Sequence, residues 1–128
     1  MRYLKNKSFK KDLKKHGLDD DYLKVVLDDI YDGRAMPLGS KMYKIRAARE
    51  GEGKSGGFRN IFFWKKEELI VFCLLFGKNE QDNLTHDEKW VLKILSDEYD
   101  GLTETEIERN IKNKQFEVIP YEQGKKTF

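Results

Sequence analysis

The sequence is poor in the residues that build metal sites, disulfides and rigid turns: its 128 residues include one cysteine, two histidines and two prolines. A single cysteine, Cys73, excludes an intrachain disulfide framework and a thiolate metal site. No group of histidines, cysteines and carboxylates has the spacing of metal ligands, and no nucleophile elbow is present. We therefore expect no metal and no cofactor, and a protein of the cytoplasm.

Long hydrophobic segments are also missing. The longest apolar run covers residues 69–76, whereas a membrane helix needs roughly 20 such residues. The basic N-terminal segment lacks the apolar stretch and the cleavage site of a secretory signal. Hydrophobic residues make up 38% of the chain and charged residues another 38%, which is typical of one soluble domain at this length. We expect no membrane partner.

The net charge of +2 hides an uneven distribution of charge along the chain. Residues 39–78 hold nine Lys and Arg against four Asp and Glu, whereas residues 79–111 hold three against ten. This pattern favours a surface that binds a polyanion next to a surface that repels it. Two ordinary solvated faces would give the same counts, so charge alone leaves both interpretations open.

Hydrophobic periodicity predicts an α+β fold with helices first, then strands, then helices. It indicates an N-terminal helical pair, with one helix that ends at Gly17 and one that runs from Asp19 or Asp20 to Gly33. Three antiparallel strands are the simplest interpretation of the next part, over residues 42–48, 58–64 and 69–76. Residues 2–5 are a further candidate, as a short edge strand. We therefore expect a small antiparallel sheet of three to four strands.

The C-terminal part predicts two helices and a last strand. Thr85 begins a capping box, and the helix behind it ends at Gly101. Trp90 is expected in the core, and one face of this helix combines Val91, Leu92, Leu95 and Tyr99. A second capping box at Thr103 predicts a short helix. Residues 116–118 alternate like a strand, which Pro120 confines to a sheet edge.

The glycine-rich segment 51–57 invites comparison with a phosphate-binding P-loop, but it does not fit. That motif needs a glycine where Ala48 stands, and the segment leads into a predicted strand instead of a helix. Four glycines in seven residues favour a hairpin loop, because glycine adopts backbone angles that other residues avoid. A loop that carries Lys54 can also lie close to a phosphate backbone, so both interpretations stay open.

Cations on the predicted strands are the best candidates for a functional surface. Strand alternation places Lys44 and Arg46 on one face. Arg59 lies among aromatic and aliphatic residues, where an unpaired charge would be costly unless it faced a groove or a partner. Lys78 follows the last of the three strands. If these strands are antiparallel neighbours, their cations share one face, although each cation alone also fits an ordinary exposed position.

Residues 41–95 resemble the RelE/ParE superfamily of bacterial toxins, in particular its HigB-like branch. The resemblance is carried by the segments MYKIRAAREGEGKSGGFRNIFFW and LIVFCLLFGKNEQDNLTHDEKWVLKIL. They match that branch's basic strand, its glycine-rich loop with the following strand, and its helix start. The resemblance implies a RelE-like toxin domain over residues 1–128, with residues 102–128 as a C-terminal helix-strand extension.

The resemblance implies an endonuclease that cleaves mRNA in the ribosomal A site, with attack by the substrate's own 2′-hydroxyl and without a metal. That chemistry needs cations that orient the phosphate, stabilise its developing charge and move protons. It implies that the catalytic residues are Arg46, Arg59, Lys78 and His86. It further implies that the RNA-binding residues are Lys41, Lys44, Arg49 and Lys54.

Within this assignment, Arg59 stabilises the phosphate in the transition state and Lys78 acts in proton transfer. His86 stands where some members of the superfamily have a tyrosine, and histidine is a residue type that suits an acid or base. The same position also fits a residue that only begins a helix.

The implied partners are the ribosome, mRNA and a cognate antitoxin, which we expect to be a helix-turn-helix protein. Two other classes of function stay open at this point. One is a ParE-like toxin that inhibits DNA gyrase, and the other is a non-catalytic homologue that binds RNA or protein. Fold analogy alone does not separate the three classes.

Overall fold

The computed structural model describes residues 1–47, 57–77 and 84–124. Its elements in chain order are β1 (Arg2–Asn6), α1 (Lys7–Lys15), α2 (Asp20–Tyr31), β2 (Met36–Gly39), β3 (Met42–Ala47), β4 (Phe58–Lys65), β5 (Leu69–Phe76), α3 (His86–Asp100), α4 (Glu104–Lys112) and β6 (Phe116–Val118). The predicted α+β class is confirmed, as are the N-terminal helical pair and the C-terminal helices.

The described strands form one mixed sheet in the order β2-β3-β4-β5-β1-β6. The predicted size of three to four strands is therefore wrong, and so is the expectation that all strands are antiparallel, because β1 runs parallel to β5. The three strands predicted in the middle of the chain are present, and they are antiparallel neighbours. A parallel pair joins segments that are distant in sequence through a crossover, which local patterns do not reveal.

The two ends of the sheet show what local patterns did and did not predict. Strand β6 lies at an edge, as Pro120 indicated. Residues 2–5 do not form an edge strand, because β1 pairs with both β5 and β6. Strand β2 forms the opposite edge and was not predicted, since its residues are mostly exposed and show no alternation of apolar and polar side chains.

Helices cover both faces of the sheet. On one face, α1 and α2 pack Phe9 and Leu27 against Phe62 of β4. On the other, which we call the α3/α4 face, Leu92 and Ile107 belong to one core with residues of β3, β4 and β5. Because the central strands are buried on both sides, β4 and β5 are almost continuously apolar. Within the described part of the chain, no helix has the length and apolar character to cross a membrane.

Helix α3 begins and ends where the sequence indicated. The Thr85 side chain accepts a hydrogen bond from the Glu88 backbone N–H, the Glu88 side chain accepts one from the Thr85 N–H, and Gly101 caps the C-terminus. The predicted inner face is partly wrong, because Trp90 and Val91 are exposed. The buried side chains are Leu92, Ser96 and Tyr99. Two apolar stripes run along this helix, and packing on the sheet selects between them.

Candidate functional site

Two arginines stand directly opposite each other on neighbouring strands. The antiparallel register pairs Arg46 of β3 with Arg59 of β4. Alternation along β3 places Arg46 on the same side as Met42, and alternation along β4 places Arg59 on the same side as Ile61. Met42 and Ile61 belong to the core under α3 and α4. Both guanidinium groups therefore lie on the α3/α4 face.

The opposition of two positive charges makes this position suitable for an anion. Side chains directly opposite in an antiparallel ladder have Cβ atoms roughly 4.5–5.5 Å apart, and like charges there destabilise the sheet. Arg46 is exposed, and no ion pair joins it to another residue of the described segments. A phosphate that accepts hydrogen bonds from both guanidinium groups would relieve this repulsion.

A β-bulge brings an aromatic ring into the same row. The register between β4 and β5 shifts after Ile61, which leaves Cys73 as an additional residue in β5. Beyond this bulge Phe76 pairs with Arg59 and packs, half-buried, on the α3/α4 side. Arg46, Arg59 and Phe76 thus form one lateral row, which we call the arginine row. Phe76 was not predicted as a site residue, because in the sequence it stands at the end of a continuous apolar run.

Helix α3 covers the other end of this face. At the start of β3 the Lys41 backbone N–H donates to the Ser96 hydroxyl at 3.1 Å, and Leu92 shares a core with Met42. Arg46 lies four residues further along the strand, a distance of about 13 Å at roughly 3.3 Å per residue. The exposure of Arg46 and the partial exposure of Arg59 fit this separation. The arginine row is therefore accessible beside the helix.

Lys44 extends the positive charge of this face. It is half-buried, lies two residues before Arg46 on the same side of β3, and stands opposite Ile61. Unlike Arg46, it does not face another cation across the ladder. Lys44, Arg46 and Arg59 together present three cations on one side of two adjacent strands.

On the face of the sheet that α1 and α2 cover, a buried hydrogen bond anchors β4 opposite these cations. The fully buried Asn60 side chain donates to the Tyr22 hydroxyl of α2 at 2.9 Å. Burial raises the pKa of Tyr22 to about 12, so the hydroxyl stays neutral. Asn60 is adjacent to Arg59 in the chain, so this bond to α2 anchors β4 next to the arginine row.

The structure separates Lys41 from the arginine row. Lys41 lies in the turn before β3, and its ammonium donates to the Asp100 carboxylate at 2.8 Å. This contact, followed by that of Lys65, holds the pKa of Asp100 below its usual range. Lys41 is five residues from Arg46 along the chain, which corresponds to about 16 Å in an extended strand. It therefore belongs to a different part of the surface.

His86 is exposed on the first turn of α3, and within the described segments no hydrogen bond or ion pair joins it to Arg46 or Arg59. Three other predicted site residues, Arg49, Lys54 and Lys78, lie outside the described residues, as does nearly all of the glycine-rich segment 51–57.

The chemistry that this site supports is electrostatic. Guanidinium groups stay protonated and bind phosphate through several N–H donors. Burial raises the pKa of the Cys73 thiol to about 12, which makes it a poor nucleophile. Among the described residues, no group of three or more His, Cys, Asp and Glu is placed to hold a metal ion.

A comparison with known families agrees with the resemblance to the RelE/ParE superfamily. A family model described as the RelE toxin of the RelE / RelB toxin-antitoxin system matches residues 1–119. The matched span contains the arginine row and all six described strands. No curated protein matches the chain.

Proposed function

The chain belongs to the RelE family of toxins, and we propose that it is a type II toxin that cleaves mRNA on the translating ribosome. The observation that carries this proposal is the direct opposition of Arg46 and Arg59 on an accessible part of the sheet. We also propose that the chain belongs to the HigB-like branch and acts in the cytoplasm. Residues 1–128 would then form one toxin domain, with residues 102–128 as an extension.

The proposed reaction is attack by the 2′-hydroxyl of a nucleotide on the phosphorus that follows it. A new bond forms between the 2′-oxygen and phosphorus, and the bond from phosphorus to the 5′-oxygen breaks. The products are a 2′,3′-cyclic phosphate and a 5′-hydroxyl. The proton leaves the 2′-oxygen, and a proton is delivered to the 5′-oxygen. No external nucleophile is needed, because the substrate contains it.

The residues have separate roles in this reaction. Arg59 would stabilise the charge that accumulates on the phosphate oxygens in the transition state. Arg46 and Lys44 would hold the same phosphate or its neighbour in the ground state. Lys78 and His86 remain our proposals for the groups that move protons. The arginines do not serve this purpose, because a guanidinium group in a protein does not give up its proton.

Further RNA contacts are proposed for Lys41, Arg49 and Lys54. Lys41 would bind a phosphate away from the cleavage point, in exchange for its contact with Asp100. Such contacts position the RNA without reading its sequence. We propose that the ribosome, and not the toxin alone, selects the codon, because the chain has no recognisable single-strand RNA-binding motif.

The central test is induced expression of the full chain, with growth and mRNA integrity as readouts. We expect growth arrest and cleavage within translated mRNA, and we expect Arg59→Ala to abolish both while the protein stays folded. Arg46→Ala and Lys44→Ala should weaken toxicity less, since each removes one phosphate contact among several. Arg109→Ala is the matched control, because Arg109 is an exposed arginine of α4, and α4 contacts β6 at the edge of the sheet remote from β3.

Purified components distinguish the three classes of function. We expect cleavage that needs translating ribosomes and that continues at EDTA concentrations which leave ribosomes intact. An Arg59→Ala protein that remains fully toxic would refute the assignment of the arginine row. Growth arrest with intact mRNA and inhibited gyrase would favour the ParE-like class, and the absence of arrest would favour a non-catalytic homologue.

A further inference from the structure

Helix α3 carries an apolar stripe on its outer side that no other described residue covers. Trp90, Val91 and Ile94 are 62%, 52% and 49% exposed. Trp90 and Ile94 are four residues apart, so they are neighbours on the helix surface. The stripe points away from Leu92 and Ser96, which face the sheet. The other exposed large apolar residues in the described segments lie outside α3, and they are Met1, Val25, Met36 and Val118.

The rim of this stripe is acidic at both ends, and exposed Lys93 borders it beside Trp90. Asp87 lies one turn before it, and Asp97 and Glu98 lie one turn after it on the same side of the helix. Over its whole length, α3 has five acidic residues against two lysines. Asp97 is paired with Lys93 only through a long, exposed contact of 3.5 Å, so its charge remains available. An apolar stripe with this rim repels RNA and attracts a cationic partner.

We propose that the antitoxin docks on this stripe through an amphipathic helix whose apolar residues are flanked by Lys or Arg. This inference rests on the proposed function, because it takes its partner from there. The stripe is narrow and convex, which suits packing against another helix. A second copy of α3 is a poor occupant, since it would bring the same acidic rim to the interface. Trp90 supplies the kind of side chain that dominates binding energy at interfaces.

The proposed docking stripe and the arginine row lie on the same side of the sheet but share no residue. An antitoxin bound to α3 would therefore lie next to the arginine row, on the side of the sheet that has to meet the RNA. It would block entry of the toxin into the ribosome by its bulk. This arrangement makes the two functions separable. Changes in the stripe should release the antitoxin without impairing toxicity, and changes in the arginine row should do the reverse.

Two exposed valines provide a matched test. Val91 of α3 and Val25 of α2 are both 52% exposed, and their helices lie on opposite faces of the sheet. The partner used is the product of the reading frame adjacent to the toxin gene, and binding to the full chain is measured by titration calorimetry. We expect Val91→Lys to raise the Kd by about tenfold or more and Trp90→Ala by about 30-fold. Val25→Lys should leave it unchanged within about twofold.

The acidic rim is tested in the same assay. Asp97→Lys should raise the Kd by about three- to fivefold, and this effect should shrink in high salt. Asp21→Lys is its control, because Asp21 is also an exposed helical acid paired with a nearby lysine. Val91→Lys should still arrest growth when expressed alone. Unfolding curves of all variants verify that they are folded.

Several outcomes would overturn the inference. They are equal effects of Val91→Lys and Val25→Lys, no binding of the adjacent gene product, or a self-association of the toxin that Val91→Lys abolishes. A loss of ribosome binding by Val91→Lys would assign the stripe to the ribosome instead. Binding is measured independently of RNA cleavage, so these results do not depend on whether the proposed nuclease activity is correct.

Discussion

Arg46→Thr should make the protein more stable and less toxic at the same time. Arg46 stands directly opposite Arg59, it is exposed, and within the described segments no acidic residue pairs with it. Threonine keeps the preference for a strand and removes one of the two opposed charges. Functional sites commonly give up some stability in favour of activity in this way.

The size of the effect follows from the geometry. Like charges directly opposite in an antiparallel pair cost on the order of 0.2–1 kcal/mol. Coulomb's law gives a similar figure, about 0.6 kcal/mol, for guanidinium groups about 7 Å apart in a water-like medium. With a urea dependence of about 2 kcal/mol per molar, a gain of about 0.6 kcal/mol raises the unfolding midpoint by about 0.3 M.

Urea unfolding followed by circular dichroism measures this shift, and Lys44→Thr is the control. Lys44 lies on the same strand and the same face but stands opposite Ile61, so its removal relieves no opposed charge. The advantage of Arg46→Thr should also fall in 1 M salt, where charges are screened beyond about 3 Å. A midpoint for Arg46→Thr that is equal to or below the wild-type value would refute the argument.

Two further predictions concern the scaffold. Thr85→Ala removes the side chain that caps α3 and should cost about 1 kcal/mol in urea unfolding; an unchanged midpoint would mean that the capping box does not hold the helix. Glu117 contacts Lys10 and, at 3.4 Å, the buried Lys5, and these ammonium groups lower the pKa of its carboxyl. The folded state therefore binds this proton more weakly than the unfolded state, so the stabilisation is present above the usual pKa of 4.5 and is lost as the pH falls below it. Glu117→Gln should reduce the loss of stability between about pH 5 and 3. If the free energy of unfolding of this variant falls over that pH range as steeply as that of the wild type, the argument is contradicted.

Local sequence determined the helices and the three central strands. Asp19 caps α2, and Thr85 caps α3. In each cap the side-chain oxygen accepts a hydrogen bond from a backbone N–H in the first turn of the helix, so the cap does not depend on what the helix packs against. Alternation along β3 likewise put Lys44 and Arg46 on one side. These features depend on neighbours within a few residues, and a pattern can therefore predict them.

The tertiary structure decided everything that depends on distant partners. The bulge at Cys73 turned Phe76 toward Arg59, and the pairing of β1 with β5 placed an N-terminal strand inside the sheet. Packing chose which stripe of α3 is buried and left Trp90 outside. Asp100 took Lys41 as its partner across 59 residues of sequence. Each of these features depends on contacts between segments that are far apart in the chain. Such contacts leave no periodic signal in either segment alone.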